Sequence, residues 1–259
     1  MGVDVANGQL DTPRLVASPW PYFAGLVVAT WVLDLVWHAQ FAAHRGGFAV
    51  TVSWLIMTLA MMTPTTVPML GSLVDVVARR EPRTFWLFLV GYLAVWAAFA
   101  FAIAQAQVAL AARGFLDDHG TFSSNNLIGV TLLGAGVYQF TSLKNRCREA
   151  CMRPMKFFMV HWRSGNVGAV KMGARHGLAC LGCCAALMAL AFVGGMGNWG
   201  FMALATAIMV VEKLPSVGRR VTAPLGVVLL TLGAFVLVTQ PVSNSHHETS
   251  PMHVEGTLP

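Results

Sequence analysis

The chain is short of charge. Only 11% of its 259 residues are Asp, Glu, Lys or Arg, against 56% hydrophobic, and the mean hydropathy is +0.63. Soluble domains carry about 25% charged residues. A water-soluble globule is therefore excluded, and a polytopic membrane protein is expected. Acids are scarcer than bases, eleven against seventeen, for a formal charge of +6. In such a chain basic residues report orientation first, so no nucleic-acid partner is expected. Other absences narrow the chemistry. There is no GxxxxGKS/T phosphate loop and no DKTG-type phosphorylation motif, which excludes an ATP-driven pump acting by itself. There is no GxSxG nucleophile elbow. No positive n-region with a small-residue cleavage site marks the first apolar stretch, so it reads as a span and not as a cleaved signal. No internal repeat and no second soluble domain is visible.

What is present is a series of apolar stretches, at 20–43, 48–77, 85–112, 126–143, 177–194, 199–214 and 221–240. Each is near the length that crosses about 30 Å of hydrocarbon with some tilt. The expected fold is all-α, a transmembrane helix bundle of about seven spans. Pro64 and Pro68 should kink the second span and free backbone carbonyls. With the N-terminus inside, fifteen of the seventeen basic residues fall on the cytoplasmic side, and only Arg45 and Arg113 fall outside. That bias gives N-in, C-out, in the cytoplasmic membrane. The chain then divides into a cytoplasmic segment (1–19), the bundle (20–240) and a flexible outer tail (241–259). A long basic cytoplasmic loop, 144–176, interrupts the bundle. Its KFFMVHW piece is expected to place Phe157, Phe158 and Trp162 among the lipid headgroups.

Soft metal ligands are crowded into these spans. In HGLACLGCCAALM, His176, Cys180, Cys184 and Met188 recur every four residues and share one helical face, with Cys183 beside them. Thiolate, thioether and imidazole suit Cu(I), and Cys with His suits zinc. The same residues also serve as compact apolar packing. The second span carries Met57, Met61 and Met62 just before Pro64. In DLVWH, Asp34 and His38 are four apart on the first span, where an ionisable group costs about 2.5–3.5 kcal/mol and needs a reason. The pair can ligate one metal, relay protons or form a structural ion pair. Glu212 ends the sixth span, with Met209 a turn before it, and Lys213 follows where a lysine snorkels to the interface. Cys147 and Cys151 lie on the same side of the membrane as Cys180, Cys183 and Cys184. There they stay reduced, and the two clusters can complete one thiolate site. His44, and in the tail His246, His247, Met252 and His253, are further outer ligands.

Together these segments resemble a known family. YQFTSLKNRCREACMRP, GARHGLACLGCCAALM, VVEKL and MTLAMMTPTTVPM are similar to the bacterial predicted metal-binding integral membrane proteins known as domain of unknown function 2182, over roughly residues 50–220. The resemblance implies a metal and the motif residues Met57, Met61, Met62, Pro64, Cys147, Cys151, His176, Cys180, Cys183, Cys184, Met188 and Glu212. Ala185 departs from the aromatic residue expected beside the stripe. The DLVWH pair alone is similar to the Asp-x-x-x-His pair of the C subunit of copper membrane monooxygenases.

Three functions remain open from sequence. The first is binding of a transition metal, copper before zinc, through Met, Cys, His and Asp for transport or for delivery to a metalloenzyme or metallochaperone partner. The second is a copper-dependent membrane oxidoreductase or a subunit of one. The third is a structural protein in which Cys and Met only pack.

Overall fold

The described part of each of the seven apolar stretches is mainly helix in a computed structural model of the chain, which describes residues 19–41, 46–75, 82–214 and 217–239. The elements are α1 (Trp20–Phe41), α2 (Gly47–Thr65), α3 (Val67–Leu73), α4 (Pro82–Ala112), α5 (Asn125–Gln139), α6 (Ser142–Met152), α7 (Pro154–His161), α8 (Gly165–Ala189), α9 (Ala191–Gly194), α10 (Trp199–Glu212) and α11 (Gly218–Val238). Among the described residues the only β pairing is an isolated bridge, Leu116 with Phe122. Five segments are long and apolar enough to cross a membrane: 20–40, 47–65, 83–112, 165–194 and 220–238. α5 has 15 residues and α10 has 14. At about 1.5 Å per residue they reach only about 22 Å. The valines of α1 (Val28, Val32, Val36), Phe101 of α4, and Val228, Leu232 and Phe235 of α11 are exposed. A soluble monomer does not leave apolar faces of that extent to water.

The bundle is built around α4 and α8. On α4 the residues Phe85, Phe88, Tyr92, Trp96, Ala100 and Ala104 are all buried at three- and four-residue spacing. The stripe tapers from rings to methyl groups along the helix. α8 lies close against its ring-rich half because glycines face it. A side chain at Gly173 would overlap the Phe88 carbonyl, and one at Gly91 would overlap that of Val170. Gly177 faces the Tyr92 carbonyl, with 3.1 Å left for a Cβ. This is the small-residue packing that membrane helices use in place of a hydrophobic drive. Gly129 of α5 and Gly233 of α11 make a second such approach. Gly173→Ala is expected to cost about 1–3 kcal/mol by overpacking. Thermal melting in detergent would read this as a drop of several degrees, and an unchanged melting point would show that the helices can part freely.

Pro64 lacks the N–H that would bond the Ala60 carbonyl. The helix does break there: α2 ends at Thr65 and α3 restarts after Thr66, with Pro68 in its first turn.

Three expectations are corrected. The fifth span does not begin at Gly177: α8 starts at Gly165, so the segment 144–176 is no loop but α6, α7 and the first three turns of α8. Lys171 and Arg175, four apart, are exposed while Met172, Gly173, His176 and Gly177 are buried, so a helix accommodates both charges on its outer face. Phe157 and Phe158 are not headgroup anchors. They are buried and pack toward the core, Phe158 on Phe88 and Phe157 edge-on to His176, which leaves Met155, Met159 and Val160 outward. Lys213 does not snorkel. It is 2% exposed and turned into the bundle.

Candidate metal centre

Helix α8 sets the centre. Its 3.6-residue turn puts Met172, His176, Cys180, Cys183, Cys184 and Met188 on the buried side. The sulfurs of Cys180, Cys183 and Cys184 lie within 4.8 Å of one another, all buried. Cys183 Sγ is 3.3 Å from Cys184 Sγ and donates to the Cys180 carbonyl at 3.1 Å. All five cysteines are free thiols.

Helices α4, α6 and α10 close around this cluster. Lys213, at the end of α10, donates from Nζ to Cys180 Sγ at 2.9 Å. Tyr92 of α4 places its hydroxyl 3.1 Å from the same sulfur and 3.0 Å from the Met62 carbonyl. That carbonyl lies at the end of α2, where the Thr66 N–H turns to the Thr63 carbonyl, and Thr65 Oγ1 also bonds it at 2.8 Å. The kink predicted from proline thus ties α2 to the thiols through one phenol. From α6, the buried Cys151 lies beside Cys180 and Cys183. Cys147 sits against the Cα of Gly182 instead, where burial pushes its thiol up. Tyr138 donates to the Gly182 carbonyl on that side.

His176 lies one turn below Cys180, 2% exposed. It is stacked on Tyr92 (5.5 Å) and Phe88 (5.8 Å), and its Nδ1 has no hydrogen-bond partner. Its ring is not one of the groups gathered with the three thiols. Met57, Met61, Met62 and Met188 are all 3% exposed or less.

Glu212 has a different neighbour. Its two carboxylate oxygens accept from Lys144 Nζ at 3.0 and 2.9 Å, and the ammonium also donates to Gln139. Lys144 is wholly buried, and the Thr141 side chain that caps α6 holds its backbone N–H. Next to it Arg148 donates to Thr222 of α11. Asp34 and His38 lie at the other end of the bundle and take no part in the thiol cluster. Their side chains approach to 3.4 Å. His44, His246, His247, Met252 and His253 fall outside the described residues.

Sequence spacing anticipates the stripe on α8 but not the polar groups that meet it. Tyr92, Lys144 and Lys213 come from other helices, and the one available signal was that each is a polar side chain inside or beside an apolar run.

No curated protein and no solved structure matches the chain. Residues 51–236 match the family PpoB2, described as copper chaperone. The matched span runs from α2 into α11 and contains the whole thiol cluster. It specifies copper where the motif resemblance implied only a metal, and it carries that name in place of domain of unknown function 2182. This chain belongs to the PpoB2 copper chaperone family.

Proposed function

We propose that this protein is an integral membrane copper chaperone, which holds Cu(I) on Cys180, Cys183 and Cys184 and passes it to a partner metalloprotein. The observation that carries the reading is the buried three-thiol cluster with a buried ammonium on one of its sulfurs. With two of the three sulfurs as thiolates and the third kept as a neutral thiol, the ligands and one Cu(I) carry a net charge of −1. Lys213 brings +1, so the loaded site is neutral in a place where a bare charge is expensive. Soft sulfur ligands fit the soft ion. Cys151 stands beside the cluster as a fourth thiol, which keeps zinc as the second choice.

Met57, Met61, Met62, His176 and Met188 are neutral donors in the surrounding core. They let the ion move between sulfurs by ligand exchange with no change of oxidation state. Glu212 acts by holding Lys144 at the α6–α10 junction, and so fixes Cys151 on one side and Lys213 on the other. In this reading all seven apolar helices lie in a bacterial cytoplasmic membrane, N-terminus inside, and the thiol end faces the cytoplasm. The short α5 and α10 are covered by their longer neighbours.

The test is copper content. Protein purified anaerobically in detergent, given one equivalent of Cu(I) and washed with a Cu(I) chelator that strips weakly held copper, is expected to keep about one ion per chain. A Cys180→Ser/Cys183→Ser/Cys184→Ser variant with the same melting profile is expected to lose it. Delivery is read by mixing the loaded protein with an apo-cuproprotein. Copper that the thiols hold but never release to the acceptor would reduce the role to storage, and copper held equally by the variant would end the proposal.

A further inference from the structure

At the end of the bundle away from the cysteines lies a cavity of about 430 Å³. The ends of α1 and α4, the start of α2, the α4–α5 hairpin and the turn before α10 enclose it. Its lining includes His38, Gln107, Asp118, His119 and Met196. The thiol centre uses none of these, and His38 precedes the segment that matches the family.

His38 is set up as a ligand. Its Nδ1 is 3.0 Å from the Asp34 carbonyl and 3.4 Å from the Asp34 carboxylate. With its proton on that nitrogen, the ring presents a lone pair at Nε2, and Nε2 is buried with no partner. A histidine whose far nitrogen is held by a carbonyl or carboxylate is the usual form of a metal-bound imidazole. Behind it Asp34 is fully buried, and neither of its carboxylate oxygens has a hydrogen bond. A cation bound at His38 would add positive charge beside that carboxylate, whose recorded ion-pair partner is the same imidazole.

The same lining offers His119 on a pinned hairpin. Asp117 Oδ1 accepts the N–H groups of His119 (2.9 Å) and Thr121 (2.8 Å), and its Oδ2 accepts the Thr121 hydroxyl at 2.5 Å. Gly120, at φ 75°, makes the turn between them. Desolvation opposes charge on Asp117, but these three donors outweigh it and hold its carboxyl below the usual range. Met196 adds a buried thioether.

We propose that this cavity is a second, thiol-free copper site, at which His38, His119 and Met196 capture the ion at the end of the bundle opposite the cysteines. Imidazoles with one thioether accept both Cu(II) and Cu(I). The cavity has room for part of the ion's water shell, which fits acquisition and exchange in place of storage.

The experiment uses full-length protein in which Cys147, Cys151, Cys180, Cys183 and Cys184 are serine and His246, His247 and His253 are alanine. Thiols and tail imidazoles then cannot report. Cu(II) chloride is titrated in and followed by electron paramagnetic resonance. The expected signal carries nitrogen hyperfine structure, and His119→Ala on the exposed hairpin, or His38→Asn, weakens binding at least tenfold. Binding that neither substitution changes, or no binding in this background, would overturn the site. Cu(I) loading of the unsubstituted cysteines would stand in either case, so failure here is separate from failure of the thiol reading.

Discussion

Lys213→Met is expected to weaken Cu(I) binding by two to three orders of magnitude while leaving the fold intact. Methionine matches the length of the lysine stem and is at home in an apolar bundle. Without copper, Cys180 is a neutral thiol beside a thioether, and the substitution leaves no unpaired charge at the cluster. With copper, the dithiolate unit keeps its −1 and has lost the ammonium that stood 2.9 Å from Cys180. Removing one partner of a buried pair costs about 3–5 kcal/mol, and each 1.4 kcal/mol is about tenfold in Kd. Lys213→Arg keeps the charge and should recover part of the affinity, limited by the bulk of its planar head. Anaerobic competition against a Cu(I) chelator reads both variants. An affinity within twofold of the original for Lys213→Met would mean that the lysine only packs.

Glu212→Leu is expected to be the most destabilising single change at the centre. Lys144 is wholly buried, and its counter-charge among the described contacts is the Glu212 carboxylate, which it meets with both oxygens. The single substitution leaves an ammonium with the neutral Gln139 carbonyl as acceptor, at a cost of about 3–5 kcal/mol. For a chain of this size that corresponds to a melting point lower by on the order of 10 °C. The double change Lys144→Met/Glu212→Leu removes both charges and should restore most of the loss, since buried pairs are often replaceable by apolar groups of similar volume. If the double variant melts as low as the single, the pair is not the reason. If Glu212→Leu melts normally but loses copper, Glu212 binds metal directly and its pairing with Lys144 is incidental.

The membrane class was legible because charge deficit is a bulk property, and no contact is needed to read it. The α8 stripe was legible because helical periodicity alone decides which residues share a face, and all five of His176, Cys180, Cys183, Cys184 and Met188 are indeed buried together on it. The Pro64 break followed from a missing N–H. What spacing could not supply were the long-range partners. Lys213 read as an interfacial lysine because the local rule for a helix end is correct on average, and only the packing of α10 beside α8 turns it inward. Cys147 and Cys151 looked equivalent at four-residue spacing. Packing separates them: Cys151 joins the thiols, and Cys147 stops against Gly182. The start of α8 was missed because Lys171 and Arg175 resemble loop charges, and a one-sided helix hides them only once Gly168, Gly173 and Gly177 are seen packed on the opposite side.

Copper K-edge X-ray absorption on the anaerobically loaded protein tests the central claim most directly. A coordination shell of sulfur alone, lost in the Cys180→Ser/Cys183→Ser/Cys184→Ser variant, is the predicted result. A shell of nitrogen and oxygen, or a sulfur shell that survives the three substitutions, would place the ion away from α8 and contradict the thiol centre.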